Sequence, residues 1–345
     1  MSSRGSVFVL GATGQIGRAA VRALVADGWE VRAASRGSGG DAGLPDGVRT
    51  VRVDRDGEGA LAAALGDGCD VLVDMVAYGA DHARQLVGLA DRIGSAVVIS
   101  SGAVYADADG RSFDTQDEPD GFPRFPVPIP ESHLTVGPGP ATYGTRKVAL
   151  ERELLAASGA LPVTLVRAGA VHGPHSRAPR ELYFVKRALD GRPVRILAHG
   201  GRSRFHPVHV SNVAELIRLA ALHPGARVLN GGDPEAPTVA EISTAVDEAM
   251  GVQSELVLIE GTADVGSTPW SVDHPVVYDM SAAERELGYR PVTGYAESLP
   301  ATVEWIAGRL RDRDWRDTFP AMAKRYVPPL DLFDYAAEDA WLGNR

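Results

Sequence analysis

Strand-like apolar runs alternate with helical repeats along the first half of the chain. Residues 6–10 are rich in β-branched and apolar side chains, which is typical of a parallel strand buried on both faces. Residues 15–26 then place apolar side chains at helical spacing. The same reasoning predicts strands at 29–34, 49–53, 70–76, 95–100 and 161–166, and helices at 57–65, 80–93 and 140–158. This alternation predicts an α/β fold with a doubly wound parallel sheet.

The second half is less regular and predicts a smaller lobe. Strands are expected at 194–197 and 254–259, and helices at 180–189, 211–222, 238–250 and 295–311. Ser281 and Glu284 have the spacing of a capping box, which predicts one more short helix. Pro140 is expected in the first turn of its helix, where a missing N–H costs nothing.

A glycine-rich turn, Gly11-Ala-Thr-Gly-Gln-Ile-Gly17, joins the first strand to the first helix. Gly11 permits a sharp turn, Gly14 a close approach of the backbone, and Gly17 close packing of helix on strand. The N–H groups and the dipole of the following helix favour a bound phosphate. Such a turn at the start of an α/β chain predicts a dinucleotide-binding site.

The end of the second strand bears on which dinucleotide binds. NAD-binding folds carry an acidic residue there for the ribose 2′-hydroxyl, whereas an arginine accommodates a 2′-phosphate. Ser35 and Arg36 offer donors and no carboxylate, and Arg32 lies within the strand. The chain therefore favours NADP(H) over NAD(H), with a solvated loop arginine as the alternative. Asp54, after the third strand, is either an acceptor for the adenine amino group or a helix N-cap.

A serine, a tyrosine and a lysine follow the fifth strand. Ser101 comes at its end, and Tyr143 and Lys147 lie one turn apart on one face of the next helix. A phenol with a pKa near ~10 needs a nearby cation to work as an acid or base at neutral pH, and Lys147 supplies one. Lys147 can also hold the cofactor ribose, and Ser101 can donate to a substrate oxygen. A Y-x-x-x-K pair by itself is common on surface helices, so its position carries the prediction.

These motifs resemble those of the extended short-chain dehydrogenases/reductases, in the NAD-dependent epimerase/dehydratase group. The matching segments are Gly11-x-x-Gly14-x-x-Gly17, Asp54, Ser100-Ser-Gly-Ala-Val-Tyr105, Tyr143-x-x-x-Lys147, Arg167-Ala-Gly-Ala-Val-His-Gly-Pro174, Phe205-His-Pro-Val-His-Val-Ser-Asn-Val-Ala214 and Leu287-Gly-Tyr-Arg-Pro291. The resemblance implies that Tyr143 is the catalytic acid/base, that Lys147 tunes it, and that Ser101 polarises the reacting carbonyl or hydroxyl.

The resemblance also implies a division of the chain and two sets of binding residues. Residues 1–170, rejoined by 205–230, form the expected NAD(P)-binding Rossmann domain, 171–204 and 231–311 the substrate lobe, and 312–345 a C-terminal extension. The residues expected at the cofactor are Gly11, Thr13, Gly14, Gln15, Ile16, Gly17, Ser35, Arg36, Asp54, Val76, Ala77, Tyr143, Lys147, Ala168 and Val171. Those expected at the substrate are Ser101, Phe122, Phe125, Ala170, His172 and Arg204.

Four departures from the family pattern bear on the substrate. Ala170 stands where sugar-nucleotide enzymes usually have Asn, and Phe205 where they have a diphosphate-binding Arg, with Arg204 displaced by one position. His172 replaces Tyr, and Asp74 replaces His. His172 either faces the nicotinamide or substrate or is hydrogen-bonded in the core, whereas Asp74 is expected to be paired. The loss of the Asn and the Arg of sugar-nucleotide enzymes favours a reductase that acts on something other than a standard nucleotide sugar, with a nucleotide-sugar epimerase/dehydratase as the alternative.

Two segments add to the family pattern. Residues 106–130 separate Ser101 from Tyr143 and contain five prolines and the phenylalanines 113, 122 and 125. We expect this loop to cover the active site, with Phe122 or Phe125 lining a partly apolar pocket. An edge decoration or a dimer contact is the alternative. The aromatic residues of 315–345 predict that the tail packs across the body or onto another subunit.

Composition and charge set the remaining expectations. The 345 residues carry a net charge of -10, which disfavours nucleic acid as the main partner of the chain. The single cysteine, Cys69, excludes an intrachain disulfide, is expected in the core and suits a cytoplasmic location. Neither an 18-residue apolar run nor a signal peptide is found, so no membrane partner is expected. No metal site is expected, and the sequence allows a homodimer without deciding the assembly. A dinucleotide-sensing or RNA-associated non-catalytic protein is the alternative to an enzyme.

Overall fold

The computed structural model describes residues 4–37, 43–261, 265–327 and 330–344 of the chain. The chain forms two compact units, each built from three segments. The first unit comprises Met1–Gly169, Val210–Gly232 and Tyr278–Val292, and the second comprises Ala170–His209, Asp233–Val277 and Thr293–Arg345.

The strands are short, and the central strands β1, β4, β5 and β6 of the first unit are mostly buried. In chain order they are β1 (Ser6–Leu10), β2 (Glu30–Ser35), β3 (Arg49–Arg52), β4 (Cys69–Asp74), β5 (Ile93–Ser101), β6 (Val163–Ala168), β7 (Ala170–His172), β8 (Val194–Leu197), β9 (Pro207–His209), β10 (Arg227–Gly231) and β11 (Glu255–Leu258). Cys69 opens β4 and is buried in the core, as predicted.

Helices connect these strands in both units. They are α1 (Gln15–Ala26), α2 (Ala60–Leu65), α3 (Ala80–Val87), α4 (Tyr143–Ala156), α5 (Leu182–Leu189), α6 (Val210–Leu222), α7 (Val239–Met250), α8 (Ser281–Leu287), α9 (Tyr295–Leu310), α10 (Trp315–Thr318), α11 (Pro320–Arg325) and α12 (Tyr335–Gly343). Among the residues with described coordinates, none of these helices has both the length and the apolar character needed to cross a membrane.

The first unit is built on a parallel sheet, which confirms the predicted doubly wound fold. Among the described residues the sheet has seven strands, in the spatial order β10-β6-β5-β4-β1-β2-β3. The chain runs outwards from β1 to β3 and then returns to β4 on the other side of β1. Leu10 at the end of β1 is in register with Asp74 at the end of β4. The strand order therefore reverses between β1 and β4, and doubly wound sheets bind their ligands at the carboxyl ends of the strands at such a point.

The second unit holds two short parallel strand pairs and the remaining helices. β7 pairs with β9, and β8 pairs with β11. α5, α7 and α9 pack against one another. Their shared core includes the fully buried side chains of Phe184, Trp270 and Leu299.

The C-terminal helices α10–α12 pack onto the second unit, which confirms the expectation that the tail is anchored. Trp315, Phe319 and Met322 are each at most 2% exposed and belong to that unit's core. The guanidinium of Arg187 on α5 forms a buried ion pair with Glu338 on α12. Tail residues therefore take part in the core of this unit.

Several predicted element boundaries are wrong for local reasons. α4 begins at Tyr143 and not at Pro140, because Thr142 accepts the Thr145 N–H and the Thr145 hydroxyl accepts the Thr142 N–H. At α8 no capping box forms, because Ser281 lies inside the helix and Asp279 accepts its N–H.

Three further differences concern short or polar segments. The helix predicted at 80–93 ends at Val87, and Ile93 already belongs to β5. β7, β9 and β10 were not predicted. β7 and β9 have three residues each, and β10, Arg-Val-Leu-Asn-Gly, lacks a continuous apolar run.

Candidate active site

The glycine turn between β1 and α1 has the backbone geometry of a phosphate-binding turn. Gly11 has a φ of +84°, a left-handed conformation that favours glycine. A Cβ on Gly17 would lie 2.2 Å from the Gly11 carbonyl oxygen, so only glycine permits this close packing. In the fully described helix α1, no side chain caps the first turn and no acidic residue lies in it. The positive end of the α1 dipole therefore faces the turn without a nearby carboxylate, which favours a bound anion.

The predicted neighbours of this turn lie on an accessible surface. Gly14 is exposed and immediately precedes α1, while Thr13, Gln15 and Ile16 are half-buried. Arg18 is buried and donates to the Thr13 carbonyl at 3.0 Å. The turn is thus exposed to solvent at Gly14 and closely packed at Gly17 and Arg18.

The end of β2 brings two arginines towards Ser35. Arg36 is exposed directly after the strand, and Arg52 on β3 is in register with Ser35. A Cβ on Gly37 would lie 3.5 Å from Arg52 Nε, so the Arg52 guanidinium borders the loop. Ser35 Oγ accepts the Gly37 N–H at 3.2 Å. Sequence reasoning missed Arg52, whose signal is its position at the end of the adjacent strand.

Arg32 and Asp54 have local structural partners. Arg32 donates to the carbonyls of Leu65 and Gly68, at 2.9 and 2.5 Å, which places its guanidinium near the start of β4. Asp54 is exposed and accepts the Asp56 N–H at 3.3 Å. The alternative of a helix N-cap at Asp54 is wrong, because α2 begins at Ala60.

Ser101, Tyr143 and Lys147 meet where β5 ends and α4 begins. A hydrogen bond links the Ser101 hydroxyl to the Tyr143 phenol. Lys147 Nζ lies 5.8 Å from the centre of the Tyr143 ring. It donates to the carbonyls of Ala77 and Ile99, at 2.7 and 2.9 Å. The structure therefore brings together three residues that span 101–147 in the sequence.

The phenol and the ammonium occupy different environments. The Tyr143 side chain is 41% exposed, whereas Lys147 is 4% exposed. Burial lowers the pKa of Lys147 to about 8, against the opposing effect of the carboxylates of Asp74 and Glu151. Burial raises the pKa of Tyr143, which the hydrogen bond with Ser101 partly offsets. Tyr143 is therefore protonated at neutral pH, and the stabilisation of its phenolate by Lys147 stays a prediction.

The loop after β4 places a second aromatic ring beside Tyr143. Val76 is 45% exposed and Ala77 is buried, and Tyr78 follows them. The rings of Tyr78 and Tyr143 lie 5.6 Å apart, and the Arg146 guanidinium covers Tyr78 at 5.4 Å. Sequence reasoning missed Tyr78, because a single aromatic residue after a strand carries no distinctive pattern.

Two buried ion pairs lie behind the site. Asp74 pairs with Arg55, which confirms the prediction that this carboxylate is paired. Glu151 on α4 pairs with Arg167 on β6 at 2.7 Å and accepts the Ser100 hydroxyl at 2.6 Å. These pairings join residues from different elements, and the sequence carries no local signal for them.

The loop 106–130 has an interior of its own. Phe122 and Phe125 are 7% and 9% exposed and pack with Phe113 at ring distances of 5.8 and 6.3 Å. Asp107 accepts the N–H groups of Asp109, Arg111 and Arg124 and the Arg111 guanidinium. These N–H groups overcome the cost of burial and hold the pKa of Asp107 at about 2. That Phe122 or Phe125 lines a substrate pocket stays a prediction.

The remaining predicted residues lie around the end of β6 and in the second unit. Ala168 ends β6 and is buried, while Ala170 is buried and Val171 half-buried in β7. Arg204 is exposed and donates to the Ala236 carbonyl at 3.3 Å. His172, also in β7, is buried, with Nε2 2.6 Å from Asp233 Oδ2.

The hydrogen bond of His172 agrees with the alternative that this histidine belongs to the core. Its ring packs 5.1 Å from His209 and 4.8 Å from Tyr295. Burial lowers the pKa of His209 to about 4, so His209 is neutral at neutral pH. A contact between His172 and the nicotinamide stays a prediction.

The profile of the NAD dependent epimerase/dehydratase family matches residues 7–232, which span the strands β1 to β10 and include Ser101, Tyr143 and Lys147. The chain belongs to this family. The resemblance inferred from the motifs is therefore confirmed. The family profile ends at Gly232, where the second segment of the first unit also ends.

One curated relative of this family member is a reductase, and similar solved structures include sugar-nucleotide enzymes. The 2′-dehydrokanamycin reductase of Streptomyces kanamyceticus is 30% identical over 241 residues, which are 63% of this chain and 62% of that protein. The chain thus matches less than two thirds of the length of that relative. MoeE5 in complex with UDP-glucose and NAD is 26% identical, with a TM-score of 0.63 over 89% of this chain and 100% of that chain.

A third comparison supports the fold. The UDP-glucose 4-epimerase of Thermus thermophilus, solved in complex with NAD, is 24% identical and has a TM-score of 0.63. The match covers 88% of this chain and 100% of that chain. The doubly wound fold is therefore shared with a protein whose structure contains NAD.

Proposed function

We propose that this family member is an NAD(P)-dependent oxidoreductase that interconverts a carbonyl and a secondary alcohol at Ser101, Tyr143 and Lys147. The observation that carries the proposal is the position of Lys147. Its buried ammonium is fixed by the carbonyls of Ala77 and Ile99, and it lies 5.8 Å from the ring of an accessible tyrosine. A protein that only senses a dinucleotide has no need for a phenol prepared in this way.

Each residue of the site has a distinct part in the proposed reaction. The nicotinamide cofactor, when bound, supplies or accepts the hydride. In reduction, Tyr143 donates its proton to the carbonyl oxygen, and the Ser101 hydroxyl donates a hydrogen bond to the same oxygen. Lys147 stabilises the phenolate that remains on Tyr143. Because an ammonium has three N–H donors and two are engaged with carbonyls, the third is available to the cofactor ribose.

The turn and the end of β2 fit a dinucleotide, and their charges support NADP(H). The closely packed glycines and the uncapped first turn of α1, which has no acidic residue, support binding of the pyrophosphate there. Arg36 follows Ser35 directly and the Arg52 side chain borders the same loop, which supports pairing of these arginines with a ribose 2′-phosphate. A carboxylate at this position would repel that phosphate, and Ser35 is neutral. NAD(H) is the alternative, which the NAD-bound relatives support.

Two observations favour a reductase over an epimerase or dehydratase that retains its cofactor. The relative from Streptomyces kanamyceticus is named as a reductase. Phe205 occupies the place of the expected diphosphate-binding Arg, and the Arg180 guanidinium lies 5.1 Å from its ring. The UDP-sugar complexes among similar solved structures support the epimerase alternative. A substrate that is not a standard nucleotide sugar is consistent with the loss of that Arg.

The test is a substitution of Tyr143 by Phe. Tyr143→Phe should retain cofactor binding and lose turnover by about two to four orders of magnitude, the usual contribution of a general acid. Lys147→Ala should impair both turnover and cofactor affinity, because the ammonium has two roles. Turnover is followed by NADPH absorbance on a panel of ketones, and cofactor binding by calorimetry.

Tyr326→Phe is the matched control for that test. It removes a hydroxyl from a tyrosine of the second unit that no prediction places at the site, so turnover should stay close to that of the wild type. Near-normal turnover of Tyr143→Phe would contradict the proposed role of the phenol. Cofactor binding without turnover on every ketone tested would support the dinucleotide-sensing alternative.

A further inference from the structure

Lys147 lies between two buried ion pairs that the proposed reaction does not use. Arg55, in the loop after β3, pairs with Asp74 at the end of β4. Arg167 on β6 pairs with Glu151, which follows Lys147 by one turn on α4. The four side chains of these pairs are at most 7% exposed. Each pair therefore holds two opposite charges in fixed positions, and water screens these charges little.

Both carboxylates of these pairs are fully engaged by other donors. Asp74 Oδ1 accepts the Val76 N–H at 2.9 Å while Oδ2 faces the Arg55 guanidinium. Glu151 accepts the Ser100 hydroxyl at 2.6 Å and two nitrogens of Arg167 at 2.7 and 3.1 Å.

Among the described residues, Lys147 has no carboxylate partner of its own. Its hydrogen bonds there go to the Ala77 and Ile99 carbonyls. Ala77 follows Asp74 by three residues, and Ile99 precedes Ser100. The Lys147 ammonium is therefore bonded to backbone carbonyls close to Asp74 and Ser100, while Asp74 is paired with Arg55 and Glu151, the acceptor of Ser100, is paired with Arg167.

We propose that Arg55 and Arg167 are positioning residues for Lys147. By pairing with Asp74 and Glu151, they prevent either carboxylate from drawing the ammonium away from the two carbonyls and from the Tyr143 ring. A charge-assisted bond to a carboxylate is about twice as strong as a neutral one, so an unpaired carboxylate here would compete with the carbonyls. The inference rests on the proposed role of Lys147.

Each charge near Lys147 shifts the pKa of its ammonium in a known direction. Burial lowers its pKa to about 8, the carboxylates of Asp74 and Glu151 raise it, and Arg55 lowers it. Removing Arg55 should therefore raise the pKa of Lys147, and removing the Asp74 charge should lower it. Because Asp74 acts more strongly than Arg55, removing both charges should lower the pKa by less than removing the Asp74 charge alone. A purely structural role would not produce single-variant shifts of opposite sign.

The composition of the chain makes a direct measurement practical. Its lysines are Lys147, Lys186 and Lys324, so a protein labelled with 13C at the lysine Cε carbon gives three signals. Lys186 and Lys324 serve as internal references. The titration midpoint of Lys147 is read in the ligand-free protein, without substrate or cofactor.

Four variants of one pair test the inference. Asp74→Asn should lower the Lys147 midpoint by on the order of one pH unit, and Arg55→Gln should raise it by a smaller amount. The double variant should lie between Asp74→Asn and the wild type, and Arg55→Lys, which keeps the charge, should stay at the wild-type midpoint. Equal midpoints in all four proteins, or shifts of the same sign in Arg55→Gln and Asp74→Asn, would overturn the inference.

Two controls keep the outcome interpretable. Arg195→Gln with Asp247→Asn removes a buried pair of the second unit and should leave the Lys147 midpoint unchanged. If Arg55→Gln does not fold, the second pair gives the test: Glu151→Gln should lower the Lys147 midpoint, and Arg167→Gln, which leaves Glu151 unpaired, should not lower it. NADPH binding tests the underlying role separately: if Lys147→Ala binds NADPH as the wild type does, the proposed function fails, whatever the midpoints show.

Discussion

Gly17→Ala is expected to destabilise the first unit and to abolish cofactor binding. The residue lies in the first turn of α1, directly behind the turn that begins at Gly11. In an ordinary helix this substitution stabilises the protein by about 0.5–1 kcal/mol, because alanine loses less backbone entropy than glycine. The sign of the effect therefore depends on the space around the new methyl group.

The structure shows that this space is absent. The added Cβ would lie 2.2 Å from the Gly11 carbonyl oxygen and 2.7 and 2.8 Å from the carbonyl carbon and Cα of Ala12. Ordinary contacts begin at 3.4 Å, so the closest atoms must separate by about 1.2 Å. All three are backbone atoms, which no side-chain rotation can move. Overpacking of this kind costs about 1–3 kcal/mol, which exceeds the gain in helix propensity.

Urea unfolding and NADPH calorimetry measure the two expected effects. Gly159→Ala is the matched control in the same unit, because a Cβ there would meet nothing within 4 Å. Gly159→Ala should keep the wild-type midpoint of unfolding and the wild-type affinity for NADPH. Equal stability and equal affinity of Gly17→Ala and the wild type would refute the reasoning about the turn.

Two further predictions concern the cofactor and the loop 106–130. Calorimetry should show tighter binding of NADPH than of NADH, and Arg36→Ala should reduce the difference because it removes a partner of the 2′-phosphate. A preference for NADH that survives in high salt would contradict the interpretation of Ser35 and Arg36. Proteolysis within 106–130 should slow when cofactor and substrate are both bound, and cleavage should concentrate at 116–120, where every residue is exposed. Equal cleavage rates with and without ligands would count against a covering role.

The strands and helices that were predicted correctly are those with a clear apolar periodicity in the sequence. β8 has the predicted bounds, Val194–Leu197, and α7 and α9 lie within one residue of the predicted ends. The start of α4 was wrong because Thr142 and Thr145 cap each other, which prevails over the preference of Pro140 for a first turn. β10 was missed because its partner on β6 stabilises a segment with little apolar character.

The candidate site likewise contains some residues that local sequence patterns predict and others that they do not. Ser101, Tyr143 and Lys147 are recognisable because their spacing follows from one strand end and one helix face. Arg55 and Asp74 are 19 residues apart and meet only because the β3–α2 loop and the end of β4 share one edge of the sheet. A pair of this kind produces no periodic pattern in the sequence, so the sequence could not predict it.

The interior of the loop 106–130 bears on how it can act at the site. Phe125 contacts Tyr105 at a ring distance of 6.4 Å, and the Tyr105 hydroxyl donates to Asn230 at 2.6 Å. The loop is thus anchored to β10 through a residue that follows Ser101 by four positions. A loop with its own aromatic packing and anchor has little entropy left to lose when a ligand binds. A covering role, if the proteolysis test supports it, would therefore come from a preformed wall and not from a segment that orders around the substrate.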